Sequence, residues 1–120
     1  MALALDVMKG GFSAGAAKAI GGQVNGSVAA AGTTIADATD LTASISVVTS
    51  GTGGVQLYAA EIGDEQEILN LSGVTITVYP DSSSGRINAL TAGVGFSLAN
   101  NTAVKCRKFT ATRWAGNLSA

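Results

Sequence analysis

The stretch Val74-Thr75-Ile76-Thr77-Val78-Tyr79-Pro80, followed by Ser84-Gly85-Arg86-Ile87-Asn88, decides the fold. β-Branched residues alternate with Thr and Tyr, and the one proline of the chain closes the run. A period of two puts Val74, Ile76 and Val78 on one face and Thr75, Thr77 and Tyr79 on the other, the pattern of a strand with one buried side. Proline cannot donate to a ladder, and the Asp-Ser-Ser-Ser-Gly that follows is turn chemistry, so residues 80–85 read as a loop.

Working outward, the same texture fills the second half of the chain. Residues 42–49 read as a strand, 50–54 as a glycine-rich loop, and 55–58 as renewed alternation. Residues 61–67 form an acidic loop leading to Ile68-Leu69, and 70–73 a turn into the strand at 74–79. Residues 87–90, 95–98, 103–111 and 112–114 are further short strands. Short strands at even spacing, separated by turn residues, predict a mainly β fold, a small antiparallel β-sandwich or barrel. No internal repeat stands out.

Residues 1–40 differ. They are Ala, Gly and small polar residues, with Phe12 as the sole aromatic. Ala16, Ala17 and Ala19 favour a short helix over 14–20, which Gly21-Gly22 would end. Gln23-Val24-Asn25-Gly26-Ser27 reads as extended or as a turn. Such a segment cannot bury enough apolar surface to fold alone. It is expected to be an extended Ala/Gly-rich arm, ordered by contact with partner subunits, ahead of a β-domain over 41–120.

Composition points to assembly. Hydrophobic residues make up 47% of the 120, much of it Ala, whereas aromatics are 5% and charged residues 12%. Ordinary soluble domains carry about 25% charged residues. A thin core and a weakly charged surface predict burial against other copies or another protein. The net charge of −1 gives no global footprint for nucleic acid. Charge is nevertheless segregated: Glu61, Asp64, Glu65 and Glu67 lie mid-chain, and Lys105, Arg107, Lys108 and Arg113 near the end. Two copies packed head to tail would use that asymmetry, while two solvated strand edges would also account for it. Cys106 is alone, which rules out an intrachain disulfide and a cysteine metal site; a buried, inert thiol is expected. No segment has the long apolar run of a membrane helix. The start Met1-Ala2-Leu3-Ala4-Leu5-Asp6 lacks the basic lead and apolar length of a signal peptide, so the chain is expected to stay in the cytoplasm of its cell until assembled.

Several motifs tempt and fail. Gly11-Phe12-Ser13-Ala14-Gly15 matches a nucleophile elbow, but that chemistry needs a His to take the hydroxyl proton and the chain has none. Gly10 and Gly15 have phosphate-loop spacing, with Ala16-Ala17 where Lys and Ser/Thr belong. The acidic loop lacks the EF-hand ligand order. Four N-x-S/T sequons, at Asn25, Asn70, Asn100 and Asn117, are read as turn composition. No enzyme activity and no cofactor or metal is expected. Arg107 and Arg113 with Phe109 and Trp114 resemble a basic-aromatic patch; Trp114 reads as a barrel plug or a subunit contact rather than a nucleic-acid platform.

The chain resembles small structural proteins of tailed bacteriophages, of the capsid decoration (cement) or head-fibre type. The resemblance runs through Ala31-Gly32-Thr33-Thr34, Ala38-Thr39-Asp40-Leu41-Thr42, Ile45-Ser46-Val47-Val48-Thr49, Gly53-Gly54-Val55-Gln56-Leu57 and Gly63-Asp64-Glu65. It continues in Asn70, residues 74–80, Gly85, Ile87-Asn88 and Phe96-Ser97-Leu98, and ends at Phe109 and Trp114. Tyr58-Ala59-Ala60 departs from it, where an apolar-Pro step often stands. The resemblance implies a homotrimeric β-module on the capsid exterior, bound to the major capsid protein and stabilising the head, with no nucleic-acid or membrane partner. Phe12, Arg107, Phe109, Arg113 and Trp114 are the expected interface residues. The competing reading is a head-fibre or tail module that binds host glycans, with Tyr58 and Tyr79 as its aromatic candidates.

Overall fold

The computed structural model describes residues 23–119. Ten strands follow one another: β1 (Val24–Ala30), β2 (Thr39–Asp40), β3 (Ile45–Gly51), β4 (Gly54–Gln56), β5 (Glu65–Asn70), β6 (Ile76–Tyr79), β7 (Arg86–Ile87), β8 (Phe96–Leu98), β9 (Thr102–Lys108) and β10 (Arg113–Leu118). They form a six-stranded sheet, β1-β3-β5-β9-β10-β7, and a four-stranded sheet, β2-β4-β6-β8. The chain is thus mainly β, as its alternation predicts.

The expected antiparallel pairing is corrected to a mixed one. β1, β3 and β5 lie parallel in the large sheet, and β2, β4 and β6 parallel in the small one. Antiparallel pairing is confined to β5-β9, β9-β10 and β6-β8, while β7 joins β10 in parallel. The reason lies in the turns. Only Thr52-Gly53 separates β3 from β4, yet the two strands belong to different sheets. Gly51 and Gly53 both have positive φ, 84° and 114°. They bend the backbone round a corner into the other sheet, where a hairpin turn would have sent it back along β3. A Cβ at Gly53 would collide with the Gly32 carbonyl. Alternate passes through the two sheets return each strand in the same direction as its predecessor, so neighbours end up parallel.

The core lies between the sheets. Val48, Ile68, Val104 and Cys106 face inward from the large sheet, and Val55, Ile76, Val78 and Leu98 from the small one, with Leu57, Ile87 and Trp114 at its margins. Inward positions stack in register, as in the row Ser46, Ile68, Val104 across β3, β5 and β9. Tyr79 fits a slot made by two glycines. A Cβ on Gly54 would lie 2.5 Å from its ring, and one on Gly95 would meet both the ring and Thr77. The Tyr79 hydroxyl donates to the Thr33 carbonyl at 3.0 Å.

Three local expectations change. β6 begins at Ile76, and Val74 is 40% exposed instead of sharing the core face. Asn70 explains why: its side-chain amide donates to the Val74 carbonyl and holds residues 71–74 as an outward turn. The acidic loop shrinks to residues 61–64, because Glu65 to Asn70 alternate in burial as a central strand. Of the arm expected over residues 1–40, residues 23–40 are part of the globule, with β1 on the sheet edge and Val28 and Ala30 in the core. The helix expected over 14–20, the Gly11–Gly15 pattern and Phe12 lie outside the described residues.

The difference between Ile76 and Val74 is measurable. Ile76→Ala should cost about 2–5 kcal/mol in chemical denaturation, whereas Val74→Ala should stay within about 0.5 kcal/mol of the parent. Equal losses would contradict the strand boundary.

Candidate interaction surface

Strict alternation in β9 sorts the basic residues. Val104, Cys106 and Lys108 face inward, while Lys105 and Arg107 face out. The apparent cluster near the C-terminus therefore serves two environments.

Outward residues of the large sheet form rows that change in character from one end to the other. At one end Val47, Leu69 and Ala103 lie side by side. Next come Val24, Ile45, Glu67, Lys105 and Asn117. The third row is Glu65, Arg107 and Ala115. Beyond it the Phe109 N–H donates to the Arg113 carbonyl at 3.1 Å, and Arg113 stands in register with Arg86. Three of the residues expected at an interface, Arg107, Phe109 and Arg113, thus share this face. Arg86 joins them, although the alternation at 84–88 gave it no special standing.

Glu65 accounts for much of the charge segregation within one chain. Its carboxylate accepts from Arg107 at 2.7 Å and lies 3.7 Å from Lys105. The hydrogen bond from Arg107 holds the Glu65 carboxyl below its ordinary range. A depressed folded-state value means the pair contributes at pH above the ordinary carboxylate range and is lost as acid protonates Glu65. Both partners are substantially exposed, so the pair is a weak tie. In the adjoining loop the Asp64 carboxylate accepts the Glu61 N–H at 3.0 Å. The loop is pinned to β9 by Gly63 N–H to the Lys108 carbonyl at 2.6 Å and by Lys108 N–H to the Asp64 carbonyl at 3.0 Å.

Trp114, expected among the interface residues, is fully enclosed in the core between the sheets. Its indole N–H donates to Asp81 Oδ1 at 3.1 Å. Asp81 Oδ2 takes the Lys108 ammonium at 2.8 Å, with the two side chains 7% and 10% exposed. Lys108 also donates to the Ala60 carbonyl at 2.9 Å and lies 5.7 Å from the centre of the Trp114 ring. The Asp81 carbonyl accepts from Gln56 at 3.2 Å. Asp81 sits just past β6 of the small sheet, whereas Lys108 and Trp114 come from the large one, so this cluster ties the sheets together. A charge that deep persists because each of its polar atoms has a partner.

Two buried amides act alike. Asn70 donates to the Val74 and Leu98 carbonyls at 2.8 and 2.9 Å and accepts from the Ser72 N–H and hydroxyl. Gln66 exchanges two hydrogen bonds with the Tyr58 backbone. The sequon at Asn70 is therefore a core amide. Among buried side-chain polar atoms described, Ser46 Oγ alone lacks a partner. Cys106 is buried, and burial pushes its thiol up to about 12.

Of the two glycan-platform candidates, Tyr79 is buried and Tyr58 half-buried. Among the described residues no three His, Cys, Asp or Glu side chains gather as a metal-binding group, and no helix is long and apolar enough to cross a membrane. Comparison with protein-family models, curated proteins and solved structures finds no match.

Removing one partner of the buried pair should be expensive. Asp81→Leu leaves Lys108 uncompensated and should cost about 3–5 kcal/mol. Adding Lys108→Met to that variant should recover part of the loss, which a double-mutant cycle in urea would read. Cys106 supplies a second check. The native thiol should resist alkylation at mildly alkaline pH and react promptly once the chain is unfolded, as followed by mass spectrometry.

Proposed function

We propose that this chain is a structural component of a tailed-bacteriophage virion, a decoration (cement) protein that binds the outer surface of the major capsid protein and stabilises the head. The observation that carries the reading is the outer face of the large sheet. Sheets with one solvated face ordinarily present polar residues there. This face instead sets Ile45, Val47, Leu69 and Ala103 in adjoining rows at one end and Phe109 beside two arginines at the other. Phe109 is 48% exposed, and Ile62 in the adjoining loop is 63% exposed. A broad face of mixed apolar and charged character suits packing against a large neighbour. The resemblance traced through residues 31–114 supplies the identity of that neighbour, and it also supplies the trimer.

In this reading the chain works by multiplicity. Each contact is small, and many copies on one shell add their effects.

Electron microscopy of the particle that carries this chain tests the proposal. Density for the β-module is expected on the capsid exterior at threefold positions. Deletion should lower particle stability to heat or chelator while leaving host adsorption intact. Density on the tail, or loss of adsorption with stable heads, would overturn the reading in favour of a host-binding module.

A further inference from the structure

One end of the large sheet carries charges of both signs that take part in no ion pair among the described residues. Among the described residues, the ion pairs join Glu65 to Lys105 and Arg107, and Asp81 to Lys108. Arg86 and Arg113 take part in none, although they stand directly in register on neighbouring strands. Like charges opposite each other across a ladder repel, so an arrangement of this kind gains from an anionic partner. Glu61 and Asp64 are likewise exposed and outside those ion pairs.

The two sets flank a common apolar centre. Lys108 holds the 61–64 loop on one side through its backbone, while Phe109 binds the Arg113 carbonyl on the other. Arg86 lies one strand further, its N–H donating to the Thr112 carbonyl at 2.8 Å. Neighbouring strands are about 5 Å apart, so acids, aromatic and arginines follow one another within a few strand widths. Phe109, 48% exposed, marks the middle, and Ile62, 63% exposed, lies within the acidic loop itself.

We infer that this end of the large sheet is a contact between copies of the chain, in which the Glu61/Asp64 loop of one copy meets the Arg86/Arg113 pair of its neighbour around Phe109. The surface is complementary to itself: two acids, an apolar centre and two arginines match the same groups turned end for end. Such a patch joins two copies about a twofold axis, a contact separate from the one that would close a trimer. Opposed charges at the rim would set the register, and Phe109 with Ile62 would supply the buried area. The inference rests on the reading of the chain as an assembling building block, but it concerns copy-to-copy contact and not the attachment to a shell.

Sedimentation velocity of the full chain tests it. The parent should sediment as an oligomer at low ionic strength and dissociate as salt screens the pairs. Arg113→Glu should weaken self-association by about tenfold or more. So should Glu61→Arg. Mixing the two variants should restore association, because each then supplies the charge the other lacks. Resistance of Cys106 to alkylation reports that each variant is folded; if Arg113→Glu exposes the thiol, Arg86→Glu on the short edge strand β7 gives the same reading. A chain that remains monomeric at low salt, or an oligomer indifferent to salt and to these reversals, would overturn the inference. Either result leaves the capsid location to microscopy, so the two readings fail separately.

Discussion

The Asp81 carboxylate is the constraint on which the rest of the molecule leans. It stands at the exit of β6 and binds Lys108 with one oxygen and the Trp114 indole with the other. Those three residues come from opposite sheets, so the packing distance between the sheets at that end is set by hydrogen bonds of fixed length. Asn70 does the same further along, reaching from β5 to the carbonyl of Leu98 in β8. Gln66 fastens the segment after β4 by pairing with Tyr58 as a neighbouring strand would. Such groups stabilise only when fully partnered, and their geometry then admits one arrangement of the core. A core built mainly from Val, Ile and Leu, with Trp114 as its largest ring, leaves much of its specificity to these polar ties.

What was legible in the sequence was whatever a period of two could reveal. The alternation of Ile76 and Val78 with Thr77 located β6, and Val104, Cys106 and the residues between them located β9. What stayed hidden was connectivity. Glycine-rich stretches such as Ser50-Gly51-Thr52-Gly53-Gly54 read only as loops, and no local feature says that the chain crosses to a second sheet. β5 was masked by composition, because Glu65, Gln66 and Glu67 look like a solvated loop until Gln66 is seen to spend its amide on the Tyr58 backbone. β1 was masked by its small residues, since only Val28 and Ala30 reach the core. Of the residues on the outer face, Arg107, Phe109 and Arg113 were recoverable from proximity in the chain and the parity of β9. Arg86 was not, because its neighbour Arg113 is 27 positions away and meets it only through the parallel pairing of β7 with β10.

The contrast between the two sides of the large sheet follows from the same parity. Inward positions of β9 hold a lysine whose charge is fully matched, and outward positions hold Lys105 and Arg107 matched in part by Glu65. The strands therefore supply a rigid floor on which a graded exterior is laid out, from aliphatic through ion-paired to arginine-rich. A preorganised surface of this kind loses little freedom on docking.

The winding of the chain has a consequence for its synthesis. β1 to β6 emerge first and stack as parallel layers, leaving β5 and β6 as bare margins of the two sheets. The strands that cover them, β9 and β8, are made only in the final quarter of the polypeptide. Until the ribosome has released that portion, the nascent protein offers unpaired backbone on both layers at once, the condition in which one chain is most apt to capture another.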